Sequence, residues 1–146
     1  MNRRALGAVT EVLDANDGPE SMGDATMTEQ SEAIGVLAQV GIDVSDLTRA
    51  EDFYSELLGL RRAEARDQYL NFEPLPGGLT LYLQRVPEKK SSKTRVHLDV
   101  VVKDMPAALA RVEALGGKRM GSFLEEGEGW TVITDPDDNE LCLLQG

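Results

Sequence analysis

Two polar side chains that can coordinate a metal ion or exchange a proton, Gln39 and His97, occupy equivalent points of an internal repeat with an offset of 58 residues. Each precedes an aspartate, Asp46 or Asp104, by seven residues. A glutamine oxygen and an imidazole nitrogen both suit a divalent ion of intermediate hardness, and imidazole also exchanges a proton near neutral pH. The repeat therefore predicts two similar units facing a shared pocket, with His97 as the candidate catalytic residue.

Three further side chains are candidates for that pocket. Tyr82 and Trp130 offer flat walls to an organic ligand, although a large aromatic residue in a small domain also serves as core. Cys142 is the only cysteine, so it forms no disulfide within the chain, as expected for a cytoplasmic protein. Its thiol is either a soft metal ligand or an inert core group. The predicted ligand-binding residues are Gln39, Tyr82, His97, Trp130 and Cys142.

The elements that would position these groups follow the same order in each copy. Apolar alternation and helical periodicity predict, in the first copy, a strand at 36–44, a helix at 47–58 and strands at 61–66, 69–73 and 79–85. In the second copy they predict a strand at 96–102, a helix at 105–115 and strands at 118–125, 130–134 and 140–144. Asp46 and Asp104 are predicted N-caps, and Gly59 a predicted helix terminator. Each copy is therefore a predicted β-α-β-β-β module.

Chain length and local composition predict one folded domain after an N-terminal tail. The chain has 146 residues, which suits a single domain. Residues 1–33 contain seven acidic residues, two arginines and no aromatic residue, so we expect a disordered tail there. Met22 and Met27 leave the natural start open. The domain is predicted at 34–146, with modules at about 34–88 and 94–146.

Net charge and hydropathy exclude two classes of partner. The formal net charge is −11, which disfavours nucleic acids and anionic lipid surfaces, because both are bound through clustered Lys and Arg. Apolar residues make up 41% of the chain, and no apolar run approaches the roughly 20 residues of a membrane helix. We expect neither nucleic acid nor a membrane as a partner.

Several motifs in a fixed order connect the chain with a known superfamily. They are Ile42 to Leu47, Phe53-Tyr54, Leu57 to Leu60, His97 with Asp104, Trp130, Asp135-Pro136 and Asn139-Glu140. Together they resemble the vicinal oxygen chelate superfamily, which includes glyoxalase I, extradiol dioxygenases and bleomycin-resistance proteins. The segments at 83–88 and 139–143 look like the small glyoxalase-like proteins common in actinobacteria. The resemblance covers about residues 36–145 and implies an α+β fold, in which two βαβββ modules form a curved mixed sheet around a central cavity.

The resemblance also implies a set of metal ligands, which this chain fills only in part. In metal-dependent members the ligands lie on the first and last strands of each module. Gln39 and His97 match the first pair, whereas Leu81 or Tyr82 stands where a glutamate is expected in the first module. Cys142 stands at the corresponding position of the second. A site of Gln39 and His97 alone would bind a divalent ion weakly, and adding Cys142 would favour zinc.

Two functions remain open on this basis. The first is binding of a small organic molecule between the modules without a complete four-ligand metal site, where the acidic surface favours cationic or polar ligands. The alternative is a metal-dependent lyase, isomerase or dioxygenase that uses His97 and Gln39 with zinc, nickel or iron. A glyoxalase-type reaction needs a base and a metal, and the expected carboxylates are missing. The resemblance further implies a homodimer, and the ligand is left open.

Overall fold

The computed structural model describes residues 34–125 and 128–146, so the predicted disordered tail at 1–33 lies outside the described residues. Residues 34–38 contain no helix or strand, and their side chains are exposed. Residues 39–146 form a separate unit that contains both modules. No helix in these described ranges is long and apolar enough to cross a membrane.

The first module contains one helix and four strands. In chain order they are β1 (Gln39–Val44), α1 (Leu47–Leu58), β2 (Arg62–Arg66), β3 (Tyr69–Phe72) and β4 (Thr80–Arg85). The strands form the first sheet in the order β1-β4-β3-β2. β1 runs parallel to β4, whereas the other pairs are antiparallel.

The second module repeats this arrangement. Its elements are β5 (Asp99–Val102), α2 (Met105–Ala114), β6 (Lys118–Glu125), β7 (Glu128–Thr134) and β8 (Glu140–Gln145). The strands form the second sheet in the order β5-β8-β7-β6, with β5 parallel to β8. The predicted pair of βαβββ modules is confirmed, and its eight strands form two four-stranded sheets.

Both helices begin and end where the local sequence chemistry predicts. The Asp46 carboxylate accepts a hydrogen bond from the Arg49 amide at 2.9 Å. Asp104 does the same for Ala107 at 2.9 Å. Each aspartate thereby satisfies an amide that has no partner within its helix. Gly59 ends α1 with a φ of 65°, a conformation that glycine adopts without steric cost.

One hydrophobic core joins the two modules. Both sheets contribute buried residues to the same cluster, and α1 adds Ala50, Phe53 and Tyr54. The Phe53 ring is completely buried in this cluster. Because each sheet has one face in this core, the other face of each points away from it. We call these two outer faces the open faces.

The first strand of each module is shorter than predicted. β1 begins at Gln39 and β5 at Asp99, three residues later than the alternation indicates in both cases. Pairing begins there, since Gln39 lies opposite Thr80 at the start of β4 and Asp99 lies opposite Cys142 in β8. Val96 is consequently 71% exposed rather than part of the core. Alternation of apolar and polar residues indicates where the chain is able to form a strand. The strand itself begins only where a neighbouring strand is present to hydrogen-bond with it.

A buried carboxylate in the β7–β8 turn connects the modules. Asp135 is completely buried, and its carboxylate accepts hydrogen bonds from the Tyr54 hydroxyl at 2.8 Å and the Asn139 side chain at 2.8 Å. The amides of Asp137 and Asn139 also donate to it. The Asn139 amide group donates in addition to the Asp43 carbonyl at 3.0 Å. This turn therefore ties α1 and β1 of the first module to the second.

Candidate functional site

The open face of the first sheet carries Gln39 and Tyr82. Ile42 and Leu83 point into the core, so Gln39, Gly41 and Tyr82, which occupy alternate positions, lie on the opposite side. The Tyr82 ring lies over Gly41, where an added Cβ would approach the ring hydroxyl to 2.4 Å. Glycine is therefore needed at this position to let the tyrosine lie flat along the sheet.

A second tyrosine extends this aromatic surface. The rings of Tyr69 and Tyr82 have centroids 6.4 Å apart and are tilted by 52°. Both side chains are half-buried. The predicted aromatic wall at Tyr82 is thus formed by two rings, and Tyr69 was not among the candidates. The two rings lie close together because β3 and β4 are antiparallel neighbours in the sheet.

The open face of the second sheet carries a row of four apolar side chains, which we call the apolar row. The row runs from β5 to β6 through directly opposite partners, namely Val101, Leu144, Trp130 and Phe123. The Trp130 and Phe123 rings are stacked, with centroids 5.7 Å apart and planes inclined by 22°. Val101 is 66% exposed and Phe123 is 52% exposed. Trp130 therefore belongs to an exposed aromatic surface and not to the core.

Cys142 lies one row further along the same open face. It is opposite Asp99 on β5 and Val132 on β7. Burial raises the pKa of the Cys142 thiol, and Asp99, whose carboxylate accepts a hydrogen bond from the thiol, raises it further. Lys93 acts in the opposite direction. The thiol is therefore held protonated, which makes it a weak nucleophile.

His97 precedes β5 by two residues and is exposed. Gln39 and His97 belong to edge regions of different sheets, and the structure gives no hydrogen bond between Gln39, His97 and Cys142 anywhere in the described ranges. The hydrogen bonds that join the modules come from the helices and the β7–β8 turn, for example Arg111 to Glu56. Within one chain, Gln39 and Tyr82 therefore lie on the first open face and Trp130 and Cys142 on the second, whereas His97 lies just before β5.

The donor chemistry of these residues does not fit a four-ligand metal site. Gln39 is neutral, Cys142 supplies a thiol where a carboxylate is expected, and Leu81, one of the two positions that would carry the other carboxylate, is buried in the core. Tyr82, the other, provides a phenol. No group of three or more His, Cys, Asp or Glu side chains in the described residues is arranged to hold a metal ion.

A latch formed by Glu140 holds the linker between the modules against the second sheet. The Glu140 carboxylate pairs with the Lys90 ammonium at 2.7 Å and accepts a hydrogen bond from the Thr94 amide at 3.0 Å. Burial raises the pKa of Glu140, but the hydrogen bonds from Lys90 and Thr94 outweigh this effect and lower it to about 2. The latch thus fixes the segment that leads into His97.

The latch predicts an acid-sensitive contribution to stability. Because folding lowers the pKa of Glu140 from its ordinary value of 4.5 to about 2, its contribution is present above pH 4.5 and is lost as the pH falls towards 2. Glu140→Gln should therefore flatten the fall in the free energy of unfolding across this range, as measured by urea unfolding. Glu113→Gln, on the exposed surface of α2, is the control. An unchanged slope in Glu140→Gln would contradict the latch.

Two cavities lie away from the predicted site. One, of about 280 Å³, lies between α1 and α2, with Leu57, Val112 and Leu115 in its lining. The other, of about 670 Å³, lies between the linker and the β7–β8 turn and is lined by polar residues that include Lys89 and Asp137. None of the five predicted ligand-binding residues lines either cavity.

Comparison with known proteins identifies the fold and the family. The sequence profile of the glyoxalase-like domain matches residues 39–144. No match was found among curated protein sequences. The crystal structure of a glyoxalase-related enzyme from Fulvimarina pelagi is similar with a TM-score of 0.61 and 17% identity, covering 76% of this chain and 88% of that one.

Two fosfomycin resistance proteins are also similar in structure. FosX from Mesorhizobium loti has a TM-score of 0.61 and 20% identity, with 79% of this chain and 94% of that chain covered. FosX from Listeria monocytogenes has a TM-score of 0.63 and 17% identity, with 78% and 95% covered. At these identities the likeness shows the shared fold alone. All three similarities agree with two βαβββ modules arranged as in this superfamily.

Proposed function

The chain belongs to the glyoxalase-like domain family, and we propose that it binds a small organic molecule through the open faces of its two sheets, without a complete four-ligand metal site. The observation that carries the proposal is the apolar row, in which the stacked rings of Trp130 and Phe123 remain accessible. Exposed aromatic surfaces next to a few polar groups are typical of ligand sites. The lone cysteine is consistent with a cytoplasmic location.

Ligand binding is favoured over metal chemistry by the state of the polar groups. An enzyme of the metal-dependent type needs a charged donor set and a base near the substrate. Here Cys142 stands where one carboxylate is expected, and Leu81 or Tyr82 stands where the other is expected. His97 is exposed and makes no hydrogen bond or ion pair within the described residues. His97 and Gln39 are therefore assigned to ligand contact.

A second copy of the chain completes the pocket in this proposal. Gln39 and Tyr82 lie on the open face of the first sheet, and Trp130 and Cys142 lie on the open face of the second. In a homodimer, the first sheet of one protomer covers the second sheet of its partner. This arrangement would also bury the exposed part of the apolar row, which supplies a hydrophobic driving force for association.

The proposal predicts ligand binding that depends on Phe123. Trp130 is the only tryptophan, so its fluorescence reports directly on the apolar row. In a screen of several hundred small organic metabolites, binders should change this fluorescence, and Phe123→Ala should weaken their calorimetric affinity at least tenfold, because it removes the stacked ring. Light scattering of the same sample should give two chains per particle.

The matched control for this screen is Leu124→Ala, which removes the neighbouring exposed apolar side chain outside the apolar row. It should leave affinity unchanged. Metal content of the untagged protein, measured by mass spectrometry, tests the competing function. Stoichiometric zinc, nickel or iron that is lost in His97→Ala would overturn the proposal, and so would a library in which no compound shows Phe123-dependent binding.

A further inference from the structure

The open face of the second sheet presents a carboxylate, an ammonium group and a stacked aromatic pair around one thiol. We propose that it binds a small zwitterion with an aromatic body, whose ammonium group contacts Asp99, whose anionic group contacts Lys93, and whose ring packs on Trp130 and Phe123. The proposal rests on the proposed function and specifies the chemical class of its ligand. Neither Asp99 nor Lys93 is among the residues that the sequence motifs single out.

Asp99 provides an available negative charge beside the apolar row. It lies on β5, which is an edge strand, and its side chain is exposed. It stands directly opposite Cys142, and its carboxylate accepts a hydrogen bond from the Cys142 thiol. No basic side chain in the described residues forms an ion pair with it. A carboxylate with one weak donor and no counter-ion retains acceptor capacity for a ligand ammonium group.

Lys93 provides the positive charge on the same side. Its neighbours in the linker, Lys90 and Thr94, both bind Glu140, the first residue of β8, and Cys142 lies two residues further along that strand. Lys93 is exposed, directly precedes Thr94 in the linker, and also lines the cavity of about 670 Å³ beside the β7–β8 turn. It forms no ion pair within the part of the chain that the structure describes. The latch therefore holds the linker next to Lys93 against the start of β8, two residues from Cys142 along that strand.

The spacing suits a ligand of the size of an aromatic amino acid. Trp130 lies two strands away from β5 and one row along the sheet from Asp99. With strands about 4.8 Å apart and rows about 6.8 Å apart, the Asp99 and Trp130 Cα atoms are about 12 Å apart. The Asp99 and Trp130 side chains extend from these positions, and the gap between them suits a ligand made of a charged head group and one aromatic ring.

Both charges must be matched for strong binding. A ligand with an amine alone would pair with Asp99 but would bring a like charge towards Lys93. A ligand with a carboxylate alone would pair with Lys93 but would bring a like charge towards Asp99. A zwitterion pairs with both groups, so neither is left desolvated without a partner when the ligand covers the face. Selectivity therefore arises from Asp99 and Lys93 together, whereas the aromatic pair contributes affinity without distinguishing the three kinds of head group.

Three probes with the same phenyl ring test this assignment on the full-length protein. They are L-phenylalanine, 2-phenylethylamine and 3-phenylpropionate, which carry both charges, the positive charge alone and the negative charge alone. Calorimetry should give L-phenylalanine at least a tenfold higher affinity than either of the others. Its binding should also change the Trp130 fluorescence, since the ring is expected on the apolar row.

Two variants should change the selectivity in opposite directions. Asp99→Asn should reduce L-phenylalanine binding at least tenfold and leave 3-phenylpropionate the better ligand, whereas Lys93→Met should favour 2-phenylethylamine. Lys103→Met and Asp52→Asn, which change exposed charges elsewhere, are the controls. Circular dichroism and melting temperature establish that each variant is folded.

The outcomes separate this inference from the proposed function. Equal affinities for the three probes in the wild-type protein would overturn the zwitterion assignment. So would a selectivity among the probes that changes in the control variants but not in Asp99→Asn or Lys93→Met. If none of the three probes binds while other library compounds bind in a Phe123-dependent way, the assignment fails and the proposed function stands. If no compound of any class binds, both fail.

Discussion

Replacing Asp135 with alanine is expected to lower the free energy of unfolding by about 3 kcal/mol or more. The carboxylate accepts four hydrogen bonds in a completely buried position, from Tyr54, Asp137 and twice from Asn139. A hydrogen bond to a charged group contributes about 1.5–3 kcal/mol, and donors left without a partner in the core add a desolvation cost. The substitution removes hydrogen bonds that join the two modules.

Urea unfolding followed by circular dichroism measures this effect. The control is Asp138→Asn, which removes the exposed ion pair with Lys118 in the same turn and should cost about 0–1 kcal/mol. Tyr54→Phe removes one donor and should fall between the two. If Asp135→Ala were as mild as the control, the turn would not be what holds the modules together.

The pH dependence of Asp135 has the opposite sign to that of Glu140. Burial raises the pKa of Asp135, although the hydrogen bonds from Asn139, Tyr54 and Asp137 act against this. Its ionised form is therefore less favourable in the folded protein, so its contribution to stability falls as pH rises from the unfolded pKa through the folded one. Burial also raises the pKa of Tyr54, so the hydroxyl stays protonated and continues to donate to Asp135 throughout the pH range of these experiments.

A second large effect is expected for Gly117→Ala, which should destabilise the fold by about 3 kcal/mol. A Cβ at this position would lie 2.5 Å from the Thr134 carbonyl oxygen, 2.7 Å from Val112 and 2.9 Å from the Phe53 ring. The carbonyl belongs to the β7 backbone, so it cannot rotate away as a side chain would. Overpacking of this kind typically costs 1–3 kcal/mol. Phe53 belongs to the first module, so the added methyl group would strain the packing between the two modules.

Thermal unfolding should show this as a fall in melting temperature of about 12 °C, at about 4 °C per kcal/mol for a domain of this size. Gly129→Ala is the matched control, since its nearest contact would be an ordinary 3.6 Å. It should change stability by less than about 0.5 kcal/mol. A Gly117→Ala variant as stable as this control would mean that α2 and β7 can move apart at little cost.

The repeat assigns different chemistry to equivalent positions of the two open faces. In the first module, the β1 to β4 neighbours are Gly41 and Tyr82, and the tyrosine ring fills the space over the glycine. In the second module, the β5 to β8 neighbours are Asp99 and Cys142. The first face therefore presents an aromatic ring at this position, whereas the second presents a carboxylate and a thiol. This division of roles fits a pocket made from one face of each kind.

Much of the fold was predictable because local rules agree with it. The caps at Asp46 and Asp104, the end of α1 at Gly59 and the turn after Asp135 all depend on side chains close in sequence. The starts of β1 and β5 were placed three residues too early, because alternation continues past the point where a partner strand begins. The complete burial of Phe53 depends on packing near Gly117 of the second module, which no local rule predicts.

The candidate site was predictable only as a list of residues. Tyr82, Trp130 and Cys142 could be identified by type, but Asp99, Lys93 and Phe123 become candidates only through their neighbours. The register of β5, β8, β7 and β6 brings Asp99, Cys142, Trp130 and Phe123 to one face, whereas Lys93 lies in the linker before β5. Strand register depends on the whole sheet, and a shift of one residue would reverse every face.

By itself, the sequence determined the two βαβββ modules, their repeat and the presence of Gln39 and His97 at equivalent points, because turn, cap and alternation rules act locally. Only the tertiary structure decided that Gln39 begins the edge strand of one sheet, whereas His97 lies exposed just before the edge strand of the other. The core cluster and the buried Asp135 network join the modules through the helices and the β7–β8 turn. With the core side used to join the modules, each open face remains accessible to a ligand or a second chain.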